Sequence, residues 1–171
     1  TQNGEMRLNL SEESVLSSKD ALEVIFPNGK TRTAARLFID WLKERGGNAT
    51  KSSVSQFANT LESGVDIKPG RSFNYSRRNF YVTIIRNLIK LGFLQRNVPV
   101  WDERRGATHY VYQRNLFDIP LKPPGVGFWR IAYYVCRRWN EDFKQSIAEE
   151  VNTPTRSMVA AQRIKRQPLQ R

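Results

Sequence analysis

Between Ser76 and Leu94 the chain reads SRRNFYVTIIRNLIKLGFL, with Phe80, Ile84, Ile85, Leu88 and Leu91 at three- and four-residue spacings. That spacing puts them on one stripe of a helix, and Gly92 supplies its stop. The same geometry gathers Asn79, Thr83, Arg86 and Lys90 on the opposite side, with Arg78 and Asn87 on the flanks. After Gly92, Phe93 and Leu94 open a strand, Trp101 to Ala107 reads as a basic turn, and Thr108 to Arg114 alternates as a returning strand. The pattern predicts a helix feeding a hairpin.

Two further helices precede this unit. From Thr31 to Gly46, Ala34, Leu37, Phe38, Trp41 and Leu42 form one stripe, with Thr33 as the expected cap and Gly46 to Asn48 as the stop. Ala49 to Lys51 adds a few extended residues. The next helix runs from Ser52 or Ser53 to Leu61, begins at a serine cap and buries Val54, Phe57, Ala58 and Leu61. The stretch from Glu62 to Tyr75 holds Gly64, Pro69 and Gly70 with Lys68 and Arg71, so it reads as a loop able to touch phosphate. The first residues, 1–30, are read as an acidic N-terminal extension: up to Phe26, Glu5, Glu12, Glu13, Asp20 and Glu23 face only Arg7 and Lys19. Within it SEESVLSSKDALEVIF makes either one or two short helices or a loosely packed arm.

Beyond the hairpin, IPLKPPGVG at 119–127 is a proline-rich break that separates a domain at 31–118 from the C-terminal segments. Residues 128–151 then read as one long amphipathic helix whose stripe includes Phe128, Ile131, Ala132, Val135, Trp139, Phe143, Ile147 and Val151. Two uses fit such a stripe: packing back across the domain, or pairing with a second copy to make a homodimer. The last segment, 152–171, carries Arg156, Arg163, Lys165, Arg166 and Arg171 and no acidic residue. It is expected to be disordered when free and to hold nucleic acid electrostatically.

Composition narrows the partners. A chain of 171 residues with 39% hydrophobic content can bury one core, and a net charge of +12 with a pI near 10.3 favours a polyanion. No run of about 18 apolar residues is present, so a membrane span is not expected, and the chain starts without an apolar signal core. One cysteine, Cys136, and one histidine, His109, leave no internal disulfide and no Cys/His zinc site, so no metal or cofactor is expected. The expected location is intracellular, in cytoplasm or nucleus. Catalysis on nucleic acid needs clustered carboxylates or an activated nucleophile. Asp66 near Lys68, Asp102 beside Glu103, and Glu141 beside Asp142 each stand alone in a turn or on a polar helix face. A binding module is expected in place of an enzyme.

The order helix, short extended piece, helix, loop, basic helix, hairpin resembles the winged helix-turn-helix superfamily of DNA-binding domains. RLFIDWL, SSVSQFANTL and IIRNLIKLGFL running into the WDERRGA hairpin carry the likeness, over about 31–116. The segment between the second and third helices is longer than in a tight helix-turn-helix. The expected fold class is mostly α with a small antiparallel β-hairpin, plus a long C-terminal helix and a basic tail. The resemblance implies that the helix from Ser76 lies in the major groove, where Arg78, Asn79, Thr83 and Arg86 read base edges of double-stranded DNA. It also implies phosphate or wing contacts from Lys68, Arg71, Arg77, Lys90, Arg96, Arg104 and Arg105. Tyr110 and Tyr112 share a face with Thr108 and read as strand packing, and His109 as a packed strand residue. Transcription regulation or replication-origin binding would follow. The alternative is a non-catalytic subunit of a larger nucleoprotein complex, in which the same fold grips a protein partner and the basic surface holds RNA or DNA without sequence preference.

Overall fold

The structure is a computed structural model that describes the backbone of residues 10–152 and the side chains of 10–144. Two short helices open it, α1 (Glu12–Ser17) and α2 (Ala21–Ile25). Each starts at a side-chain oxygen that satisfies a free amide: Ser11 accepts from Ser14 N, and Asp20 accepts from Glu23 N at 3.1 Å. Glu23 returns the bond by accepting from Lys19 N at 2.9 Å. Val15, Leu22, Val24, Ile25 and Phe26 are all buried in the same cluster as the later helices. The described part of the segment expected to be an extension, from Leu10 to Phe26, is therefore a wall of the core.

Helix α3 (Gly29–Glu44) begins earlier than its hydrophobic stripe. Asn28 is its cap, accepting from Thr31 N at 3.1 Å, whereas the expected cap Thr33 lies inside the first turns and donates to Gly29 O. The same correction applies to α4 (Lys51–Ser63), where Thr50 and not Ser52 or Ser53 caps the helix by accepting from Ser53 N. In both cases the first side-chain oxygen after the break takes the amides, ahead of the residues that mark the apolar face. Between these helices lies β1 (Asn48–Thr50).

The expected loop after α4 is a hairpin, β2 (Val65–Lys68) and β3 (Arg71–Phe73), paired Val65 to Phe73 and Lys68 to Arg71. Its turn is Pro69-Gly70, with Gly70 at φ 77°, a conformation that suits glycine after proline in a two-residue turn. The next helix, α5, spans 77–90 in three parts: an α-helical turn Arg77–Asn79, a π-helical stretch Phe80–Ile85, and α-helical Arg86–Lys90. Strands β4 (Leu94–Asp102) and β5 (Ala107–Arg114) come next, so Trp101 and Asp102 belong to a strand and only 103–106 turn. The last helix, α6, is Phe128–Asn152.

β1 returns to pair with β5, Ala49 opposite Tyr112, giving an antiparallel sheet in the order β1-β5-β4. One extra residue in β4 between Gln95 and Val98 makes a bulge, with Asn97 at φ 60°. The architecture is mixed α/β with small antiparallel sheets and a C-terminal helix.

Two aromatic clusters fill the core. Phe38 meets Trp41, Phe57 and Phe80 at 5.9, 5.6 and 5.2 Å between ring centroids, joining α3, α4 and α5. Phe93, Phe117 and Trp139 form the second, with Phe93 to Trp139 at 4.8 Å. Helix α6 is tied down at several points. Trp139 Nε1 donates to Asn115 O at 2.7 Å, and buried Asn140 accepts from Phe117 N and donates to Phe117 O, both at 2.8 Å. Arg138 donates to the carbonyls of Val15 and Leu16 and to Ser18 Oγ, closing the end of α1. Asp142 pairs with Arg36 at 2.7 Å and with Lys43. Burial pulls the Arg36 pKa down, but Asp142, Asp40 and Asp20 more than offset it, so the guanidinium sits above its ordinary value.

Of the two uses expected for the α6 stripe, packing across the domain is the one its described side chains make; those of Ile147 and Val151 lie outside the described residues. Val135, Trp139 and Phe143 are buried within the chain's own core, Ile131 is half-buried, and Phe128 stays 63% exposed. A cavity of about 180 Å³ lies where α6 crosses α2 and the end of α5, lined by residues that include Ile25, Leu91, Phe93, Val135 and Cys136.

Candidate nucleic-acid interface

The hairpin between α4 and α5 solves a geometric problem. Its strands leave and return side by side, so the chain re-enters beside the end of α4: Tyr75 N donates to Leu61 O at 3.1 Å, and Arg77 N donates to Glu62 Oε2 at 2.8 Å. The two helices are thus joined as closely as by a short turn, despite the length of the insertion. Ser76 caps α5 by accepting from Asn79 N at 3.1 Å. Tyr75 anchors the entry from the other side, its hydroxyl 3.1 Å from Thr31 Oγ1.

Arg77, expected among the phosphate contacts, is half-buried and engaged inside the chain. One guanidinium nitrogen donates to Ser55 O, Ser55 Oγ and Asn59 Oδ1, and the group lies 5.2 Å from the Tyr81 ring centroid. Its evident work is to fix α5 against α4.

A π-helical stretch lies in the middle of this helix. Arg86 N donates to Tyr81 O, five residues back. Asn87, expected on the flank of the polar face, is 7% exposed, while Val82 is 41% exposed. Thr83 is half-buried, and Arg78, Asn79, Arg86 and Lys90 remain exposed or partly so. The solvent side of α5 is thus two arginines, an asparagine and a lysine around one apolar residue. Helical spacing marks Val82, which lies three residues after Asn79 and four before Arg86 and so shares their face.

The remaining basic residues sit at the tips of the two hairpins. Lys68 and Arg71 flank the Pro69-Gly70 turn and are exposed. Arg96 is exposed beside the bulge. Arg104 and Arg105 are exposed at the β4–β5 tip, where Asp102 Oδ1 accepts from both backbone amides, at 3.0 and 3.4 Å. Asp102 Oδ2 also lies 3.7 Å from Arg105 Nε, so its charge is committed to shaping the turn. On the same hairpin Tyr112 is buried as strand packing requires, but Tyr110 is 54% exposed and Trp101 61%. Packing does not account for Tyr110. His109 is half-buried.

The tail residues Arg156, Arg163, Lys165 and Arg166 lie outside the described residues. Among the described residues, no helix is long and apolar enough to cross a membrane. The chain matches no protein-family profile, no curated protein and no solved structure.

Proposed function

We propose that the chain is a winged-helix protein that binds double-stranded DNA. The order α3, β1, α4, α5, β4, β5 and the strand arrangement β1-β5-β4 support the winged-helix reading, with the β2–β3 hairpin as an insertion. The observation that carries the function is the solvent face of α5. It offers Asn79 and Arg86, side chains that can bond adenine and guanine edges bidentately, and Val82, an apolar group suited to a thymine methyl. Lys90 and the hairpin-tip residues Lys68, Arg71, Arg104 and Arg105 supply phosphate contacts that set register. Arg78 stands at the N-terminal end of the helix, the part that reaches deepest when such a helix enters the major groove. A net charge of +12 drives encounter.

The function is a sequence-specific duplex binder acting in transcription or at replication origins. On an enriched duplex site, Arg86→Ala and Asn79→Ala each cost about 1–3 kcal/mol and relax preference at the base they read. Parent-like affinity of both variants on that site would defeat the assignment of α5.

One observation favours the second reading, a subunit of a nucleoprotein complex. Leu121, Val126, Phe128 and Trp129 are all strongly exposed around the start of α6. Apolar side chains grouped this way suit a protein contact.

A further inference from the structure

The β4–β5 hairpin carries a surface that duplex reading leaves unused. In the register Pro99 opposite Tyr110 and Trp101 opposite Thr108, these four residues share one side of the ribbon. The other side holds Val98, Val100, His109 and Val111, and there Val111 is buried. Toward the base of the hairpin Tyr112 covers the first side, but its outer half is open. Trp101 is 61% exposed and Tyr110 54%, and Pro99 and Thr108 are exposed as well.

The sheet order makes β4 an edge strand. Pro99 lacks an amide proton, so this edge is poorly suited to accept another strand from a peptide or a second copy. The face is the part left available. Around it stand Arg96, Arg104 and Arg105, all exposed, while the nearby Asp102 carboxylate is held by the turn amides and by Arg105. Exposed rings bordered by guanidinium groups match a ligand with flat apolar faces and a polyanionic backbone. Trp101 and Tyr110 are diagonal neighbours across the strand pair, a relation that spaces residues by about 7–8 Å. That is close to twice the ~3.4 Å rise per nucleotide of a stacked strand. A spacing of that order suits a planar base stacked between two aromatic side chains. In a duplex the bases are stacked on one another and their faces are not offered, so the ligand must have unpaired bases.

We propose that the outer face of this hairpin, Trp101 with Tyr110, stacks the bases of single-stranded nucleic acid while Arg104 and Arg105 hold its phosphates. The surface does not depend on α5; it shares Arg104 and Arg105 with the duplex reading, and Trp101 and Tyr110 are what separate the two.

The test is the affinity of the full chain for labelled oligothymidine and for a blunt duplex, measured by fluorescence anisotropy. Trp101→Ala should weaken oligothymidine binding about 5- to 150-fold, the loss of one stacked base, and Tyr110→Ala should weaken it in the same direction. Trp101→Phe, which keeps a stacking ring, should recover most of that affinity. Blunt-duplex affinity should change by less than about threefold, since stacked bases offer no face to these rings. Trp101 is exposed, so equal melting temperatures for all variants are expected and verify folding. The proposal is overturned if the parent does not bind oligothymidine, if Trp101→Ala binds it as the parent does, or if Trp101→Ala alters sedimentation, which would mark the face as a contact between copies. Trp101-dependent oligothymidine binding by a chain that ignores duplex DNA would sustain this inference and remove the duplex reading. A duplex motif with indifference to Trp101 would do the reverse.

Discussion

Replacing Asn140 by alanine tests how α6 belongs to the domain. Asn140 is 3% exposed and holds both backbone groups of Phe117, accepting from N and donating to O, each at 2.8 Å. The alanine variant leaves two polar backbone groups without these partners. An unsatisfied buried group costs about 1–3 kcal/mol. Phe117 is itself only half-buried, so water can reach part of the gap and the lower half of that range applies. Two groups at about 1–2 kcal/mol each give about 2–4 kcal/mol. For a chain of this size each kcal/mol moves Tm by about 2–4 °C, so the expected fall is about 4–16 °C. Thermal unfolding followed by circular dichroism reads it directly. Lys144→Ala, at an exposed position of the same helix, is the control and should stay within about 0.5 kcal/mol. If Asn140→Ala melted with the control, α6 would not be seated on the segment after β5, and its stripe would again be free to pair with a second copy.

Other outcomes rest on neighbouring features of the fold. Because Val135, Trp139 and Phe143 face the chain's own core, Tm should not depend on protein concentration; a rise with concentration would indicate a dimer. Arg77→Ala removes the bonds to Ser55 and Asn59 and should weaken duplex binding to all sequences alike, without shifting the preferred motif, because it loosens α5 as a whole. Replacing Arg104 and Arg105 together by alanine should reduce the slope of log affinity against log salt by up to about 2 on any duplex, since each phosphate no longer neutralised removes about 0.9. Burial pushes the Cys136 thiol pKa up. The folded state therefore holds its proton more tightly than the unfolded state. This contribution to stability is full below the usual thiol value of about 8.5 and falls as pH rises past it. Chemical denaturation across that range should show the decline, and Cys136→Ala should flatten it.

Much of the helical framework is legible in the sequence because it rests on long apolar stripes. Phe38 and Leu42 on α3, Val54 and Leu61 on α4, and Ile84 and Leu88 on α5 are buried where three- and four-residue spacing puts them. The β2–β3 hairpin is not legible by that means, since strands of four and three residues are too short to show alternation. Its readable signal is the Lys-Pro-Gly-Arg turn, which suits a loop as well as a hairpin. The helix starts depart from the apolar stripes because a cap is chosen by which oxygen reaches the free amides, and Asn28 and Thr50 reach them first.

The candidate site is legible in composition more than in arrangement. Arg78, Asn79, Arg86 and Lys90 share the solvent side as expected, but Asn87 is buried and Val82 is exposed among them. Three- and four-residue spacing from Asn79 and Arg86 puts Val82 on that face, whereas an apolar residue there gives no chemical signal of its own. Arg77 has the same chemistry as its exposed neighbours, and only its bonds to α4 separate it from them. Likewise a stripe such as that of α6 has the same pattern whether it meets its own core or another chain. The placement of the first helices and of α6 is a tertiary outcome, decided by contacts such as Arg138 with the end of α1.

Selection from random double-stranded DNA at near-physiological salt, with the bound pool sequenced, tests the central claim most directly. A specific duplex reader enriches a defined motif, and Arg86→Ala and Asn79→Ala lose preference at particular positions within it. Salt-sensitive binding that enriches no motif would contradict that claim and leave the basic surface as a nonspecific grip within a larger assembly.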